Sequence, residues 1–150
     1  MTTPKYTRPN YTTQLGATWK ANIDAAFKLF ERLGADFAPH EQDQGSPAPD
    51  LTVRVDAGAI LDGVTLTEVA AQTVSGFTTP SAGQHRIDRV VIDAVTGVAT
   101  RVAGTAVTGS PSATPPAIPA GKLPICRILF TDADTSITDE MIDDERTFPL

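Results

Sequence analysis

Cysteine, histidine and aromatic side chains are scarce in this sequence, and each scarcity removes a class of function. Cys126 is the only cysteine, so no internal disulfide can form. It alternates with polar and apolar neighbours in Ile125-Cys126-Arg127-Ile128-Leu129-Phe130, the setting of a small buried hydrophobe. His40 and His85 are isolated from each other and from Cys126, which argues against zinc. One tryptophan and two tyrosines, all in the N-terminal fifth, supply few platforms for a sugar-binding cleft. No Gly-x-Ser-x-Gly elbow and no glycine-rich phosphate loop occur, so neither a nucleophile nor a nucleotide site is expected. Basic residues are outnumbered 18 to 12, giving a formal net charge of -6. That balance disfavours nucleic acid and anionic membrane as partners. No apolar run approaches the roughly 18 residues of a transmembrane helix. Met1-Thr2-Thr3-Pro4-Lys5-Tyr6 lacks the apolar stretch of a secretion signal, so folding in the cytoplasm is expected.

One acidic stretch has to be weighed against calcium. Asp132, Asp134 and Ser136 occupy the first three ligand positions of a calcium loop, but Ile137 stands where glycine is required and Asp143 where glutamate is. A solvated acidic turn is the expectation, with no cofactor, metal or catalytic residue assigned.

What is present is ordinary globular composition, 41% hydrophobic and 20% charged, in a length that fits one domain with a short appendage. Residues 1 to about 14, with Pro4, Tyr6, Pro9 and Tyr11, show no periodicity and read as an extended arm. A helix is predicted from about Thr18, a suitable N-cap, to Leu33, with Gly34 at the αL C-cap position. Its large apolar side chains are Trp19, Ile23, Phe27, Phe30 and Leu33. The series Trp19, Ile23, Ala26, Phe30, Leu33 and Phe37 is spaced as a heptad seam. This stripe either packs on the chain's own β-domain or joins copies around an axis. Tyr6, Tyr11, Trp19, Ile23, Phe27, Phe30 and Leu33 are the expected interface residues. Residues 1–38 thus form an arm and helix, and residues 39–49 a polar, proline-punctuated linker with a solvated His40.

Residues 50–150 are predicted to be strands and turns. Leu51, Val53 and Val55 alternate with polar residues. Ile60 to Leu66 reads as a hairpin about Asp62-Gly63, and Glu68 to Phe77 as a strand with Val69, Ala71 and Val74 turned to a core. Arg86 to Asp93 returns as Val98 to Val102 across Thr96-Gly97, residues 109–121 form a long irregular connection, and Leu123 to Phe130 is a central strand. A short turn or a single helical turn is expected at Asp139 to Met141. The pattern predicts a mainly β fold, an antiparallel β-sandwich preceded by the arm and one amphipathic helix.

Charges inside the apolar strands stand out. Alternation places Arg86, Asp88 and Val90 on one face of a strand and Ile87, Arg89 and Val91 on the other. An inward-pointing Arg89 requires a carboxylate, for which Asp143 or Asp144 is the expected partner, latching the C-terminal segment to the sheet. Asp88, Arg89, Asp143, Asp144 and Arg146 are therefore the candidate structural ion-pair residues, the alternative being that they are solvated surface charges.

Five pieces in fixed order carry a resemblance. They are Val53 to Gly58, Arg86 to Gly97, Pro115 to Gly121, Leu123 to Phe130, and Ile142 followed by Asp144 two residues before Arg146. The string resembles the small β-domain that anchors tail fibres, receptor-binding proteins and baseplate components of tailed bacteriophages. The resemblance implies a β-sandwich, often threefold, that docks fibres to a tail or baseplate. In fibres the Asp-x-Arg element leads into a long shaft. Here Thr147-Phe148-Pro149-Leu150 come next, so an adaptor or collar role is expected. The implied partners are other virion proteins in a homotrimer or another symmetric oligomer, within the virion. A carbohydrate- or receptor-binding module and a head-decoration or neck protein are the alternatives.

Overall fold

In the computed structural model the described residues are 37–42, 50–62, 65–109 and 113–146. The expected arm and helix, with Tyr6, Tyr11, Trp19, Ile23, Phe27, Phe30 and Leu33, lie outside them.

The fold is mainly β, built from antiparallel sheets. Its first strand falls where a linker was expected. Pro39–Glu41 forms β1 and pairs with β2, Val53–Val55, in the register Pro39 to Val55 and Glu41 to Val53. Proline is tolerated here because β1 is an edge strand and Pro39 is its first residue. Just before it, Phe37 adopts a left-handed φ of 60° and is buried against Gly58. A non-glycine residue in that region costs about 1–3 kcal/mol, which the burial of the ring must offset. Phe37 was expected as the last member of the helical seam, yet it belongs to the β core. Spacing along the chain could not register a contact made with a residue twenty-one positions away.

Gly58–Asp62 (β3) and Thr65–Val69 (β4) form a hairpin, with Asp62 opposite Thr65. The strand expected over residues 68–77 is divided. Its first two residues end β4, and Gln72–Val74 (β5) crosses to pair with β2. Val74 is buried and Val69 packs at the core's margin, whereas Ala71 is exposed. The first sheet is thus β1-β2-β5. Val53 and Val55 alternate inward and are completely buried, each contributing on the order of 1.5–3 kcal/mol.

The second sheet is larger. Gln84–Asp93 (β6) returns through Ala99–Val102 (β7), and Val107–Thr108 (β8) pairs with the start of β6. Lys122–Thr131 (β9) lies along the other side of β6, and a 3-10 turn at Asp139–Met141 leads into Ile142–Asp144 (β10), which pairs with β9. The order is β10-β9-β6-β7. Pro124 sits in the middle of this sheet, and the ladder accommodates it with a bulge. Val90 faces Cys126 and Val91 faces Pro124, which leaves Ile125 as the extra residue. The Ile125 carbonyl accepts the Glu145 amide at 2.9 Å, tying the chain beyond β10 to the bulge.

The two sheets share one core. Val53, Val55 and Val74 from the first join Val90, Ile92, Cys126, Ile128 and Phe130 from the second in one buried cluster, together with Phe77 and Ile137. Their edges adjoin on both sides, β5 beside β7 and β1 beside β10, without a continuous ladder at either seam. Side chains bridge the seams instead. Gln72 donates to the Gly97 carbonyl at 2.7 Å and accepts the Ala99 amide at 3.0 Å, while the Asp139 carboxylate accepts the Glu41 amide at 2.6 Å.

Candidate functional site

Two charge networks occupy opposite faces of β6. On the inner face, Asp88 is completely buried. Arg86, two residues before it on the same face, donates from Nε to Oδ1 at 2.7 Å and from Nη2 to Oδ2 at 3.2 Å. Arg101 of β7 donates from Nε to Oδ2 at 2.8 Å, and the Gly104 amide reaches Oδ1 at 2.9 Å. Four donors therefore saturate one carboxylate, the condition under which a buried charge is tolerated. The guanidinium groups are satisfied in turn, Arg86 by the Thr78 carbonyl and Arg101 by the Gly76 carbonyl. Each also lies over an aromatic face, Arg86 at 5.7 Å from the Phe130 centroid and Arg101 at 5.4 Å from that of Phe77. Gly104 has no room for a side chain, since a Cβ would lie 1.9 Å from the Ile87 carbonyl oxygen.

On the outer face, Arg89 forms a bidentate pair with Glu145, Nε to Oε2 at 2.6 Å and Nη2 to Oε1 at 2.8 Å. Its Nη1 donates to the Pro116 carbonyl. The hydrogen bond that Arg89 donates to Glu145 raises its pKa, holding the guanidinium charged. The carboxylate partner is thus Glu145, not Asp143 or Asp144. β10 carries the correction. Asp143 lies opposite Arg127 in the ladder and pairs with it, Nε to Oδ2 at 2.7 Å, on an exposed surface. Asp144 pairs with Arg146, Nη2 to Oδ2 at 2.6 Å, and this hydrogen bond lowers its pKa. The bulge at Ile125 holds the Glu145 amide and so sets which of three consecutive acids reaches Arg89.

The remaining candidates resolve into turns. Asp134 accepts the Thr131 amide at 2.6 Å, and Asp132 accepts the Gly83 amide at 2.7 Å, so the calcium-like acids close loops. Among the described residues no group of three or more His, Cys, Asp or Glu side chains could hold a metal ion. His40, expected in solvent, is half-buried with Nε2 3.1 Å from Asp56 Oδ1. Cys126 is completely buried, and desolvation pushes its thiol up to about 12, far from a reactive thiolate at neutral pH. At the tip of the β6–β7 hairpin, Asp93 accepts the amides of Thr96 at 2.7 Å and Val95 at 2.9 Å, and Lys122 Nζ at 2.9 Å. The Thr96 bond first, then Lys122, holds its carboxyl well below the usual carboxylate range.

A shallow groove follows the β5–β7 seam, lined by Thr73, Ser75, Gly76, Thr100 and Arg101. It presents no aromatic platform.

Sequence reading missed Arg101, Gly104, Glu145 and Pro116. Alternation already set Arg86 beside Asp88. Arg101 follows only from the hairpin register, in which it faces Val90, and Gly104 and Pro116 lie in loops without a periodic signal. Comparison with protein families, with curated proteins and with solved structures finds no match to this chain. No helix among the described residues is long and apolar enough to cross a membrane.

Proposed function

We propose that the chain is a structural component of a tailed-phage virion, an adaptor or collar at the baseplate or fibre attachment site, working as a symmetric oligomer without catalysis. Its two sheets are then the layers of a sandwich closed at its edges by side chains. One observation carries the reading. The five pieces of the resemblance are scattered over about ninety residues, yet Arg89 of the Arg-Ile-Asp strand binds both the Pro-rich loop, through Pro116, and the Asp-Glu-Arg segment, through Glu145. A fourth piece, β9, supplies the Ile125 carbonyl to the same segment. Four of the five pieces therefore meet at one latch, a device that suits a load-bearing joint. The Asp88 carboxylate on the opposite face of the Arg89 strand is met by four donors of its own domain.

The experiment is to purify tailed particles from a lysate that encodes the chain. Peptides of the chain should appear in constant ratio to tail proteins, and gold-labelled antibody should decorate the tail end in electron micrographs. Absence from purified particles would overturn the proposal.

A further inference from the structure

Five large apolar side chains are exposed among the described residues, and four of them crowd one end of the molecule. Val95 (61% exposed) and Val98 (51%) form the tip of the β6–β7 hairpin. Ile118 (43%) and Leu123 (48%) flank the turn that precedes and opens β9. The two turns are joined, because the Ala94 amide donates to the Gly121 carbonyl at 3.0 Å and Lys122 pairs with Asp93 at 2.9 Å. Single exposed aliphatics need no explanation, but a concentration at one end marks an interaction surface.

The chain itself enters the domain at this same end. Phe37 packs on Gly58, Gly58 pairs with Val69, and Val69 lies against Gly97, where a Cβ would come within 2.2 Å of a Val69 methyl. Gly97 belongs to the hairpin tip and is held there with φ of 72°. Phe37, fixed by its buried ring, is thus linked to the hairpin tip through Gly58 and Val69. Leu33 precedes it by four residues and lies within roughly 14 Å of it even if the chain between is fully extended. Immediately upstream the sequence carries its most apolar periodic stripe, Trp19, Ile23, Phe27, Phe30 and Leu33.

We infer that the apolar end formed by Val95, Val98, Ile118 and Leu123 is the seat of residues 19–33 of the same chain, docked through that stripe. The stripe is a run of large apolar side chains, and the end offers exposed aliphatic area of matching chemistry beside the Asp93–Lys122 pair. Phe37 serves as the anchor that brings one onto the other. The stripe, whose spacing also suits association between copies, is thereby assigned to its own β-domain. The inference does not rest on a virion role, since it concerns how one chain covers its own surface.

Trp19 is the only tryptophan, so its emission reports this docking directly. In the full chain its emission is expected to be blue-shifted and independent of protein concentration. Val98→Asp and Leu123→Asp, both at exposed positions that leave the core intact, should each move it toward the emission of a solvated indole. Thr108→Asp, an exposed position at the far end of β6, should not. The β-domain's own integrity is checked in every variant by the protection of Cys126 from thiol reagents. Solvent-like emission in the unsubstituted chain overturns the inference. So does a buried emission indifferent to both aspartates, or one that turns solvent-like on dilution, which would assign the stripe to other copies. Particle association reads the virion proposal separately, and either result can stand without the other.

Discussion

Asp88 and Arg89 are neighbours in sequence and opposites in circumstance. Asp88 points into the core and is surrounded by Arg86, Arg101 and the Gly104 amide, all from its own sheet or the loop leaving it. Arg89 points outward and holds a loop and a segment remote in sequence, Pro116 and Glu145. The inner charge organises the sheet locally and is tolerated because four donors meet it. The outer charge ties together pieces that would otherwise only lie on the sheet. Breaking the first removes a condition of the fold, whereas breaking the second removes a fastening.

The largest effect should follow from Asp88→Ala. The buried Arg86 and the half-buried Arg101 would lose their shared carboxylate, at a cost of about 3–5 kcal/mol read as a lowered urea midpoint. A loss below about 1 kcal/mol would show that Arg86 and Arg101 are well satisfied by carbonyls and rings alone. Arg89→Ala should cost less, about 1.5–3 kcal/mol for hydrogen bonds to a charged group of low exposure. Its damage should be local, with amide exchange accelerating at Glu145 and around Pro116 while β6 and β9 stay protected. Uniform acceleration throughout the domain would erase the distinction between condition and fastening.

Asp93 sharpens the comparison through pH. Its carboxyl titrates lower in the folded chain than the ordinary value near 3.9, so the stabilisation it gives is complete above about pH 4 and is lost as pH falls further. Asp144 contributes with the same sign. Asp93→Asn should therefore flatten the acid limb of the stability profile below about pH 4 and leave its slope near neutrality unchanged, as measured by urea denaturation across pH. The smallest effect belongs to Arg127→Ala. Its pair with Asp143 is exposed on both sides, and less than about 1 kcal/mol should be lost. A larger loss would mean that β10 is held through this pair and not through its ladder and the Ile125 carbonyl.

Much of the sheet was legible because alternation is a local property. Val53 and Val55 of β2, the hairpin of β6 and β7, the long β9 and the turn at Asp139–Met141 all follow from period-two apolar patterns and their punctuation. β1 was not legible. Pro39-His40-Glu41 has no apolar alternation and becomes a strand only because β2 offers an edge. The break between β4 and β5 escaped for a related reason, since two strands that part for different sheets look continuous in sequence. Among the charged residues, alternation separated the faces of Asp88 and Arg89, and a carboxylate was called for only if Arg89 turned inward; it lies on the outer face and pairs there. Choosing Glu145 over Asp143 and Asp144 needed the bulge, whose extra residue offers the Ile125 carbonyl to the Glu145 amide and so fixes the chain just beyond the β10 ladder.

By itself the sequence determined a mainly β chain with an acidic balance and charged residues on both faces of its central strand. Composition and short-range periodicity encode those properties residue by residue. Only the tertiary structure decided that Phe37 belongs to the β core, that Arg101 and Gly104 complete the shell of Asp88, and that Glu145 closes on Arg89. Each of these is a contact between residues distant in the chain, and its energy exists only after strand register has brought the partners within hydrogen-bond or van der Waals reach.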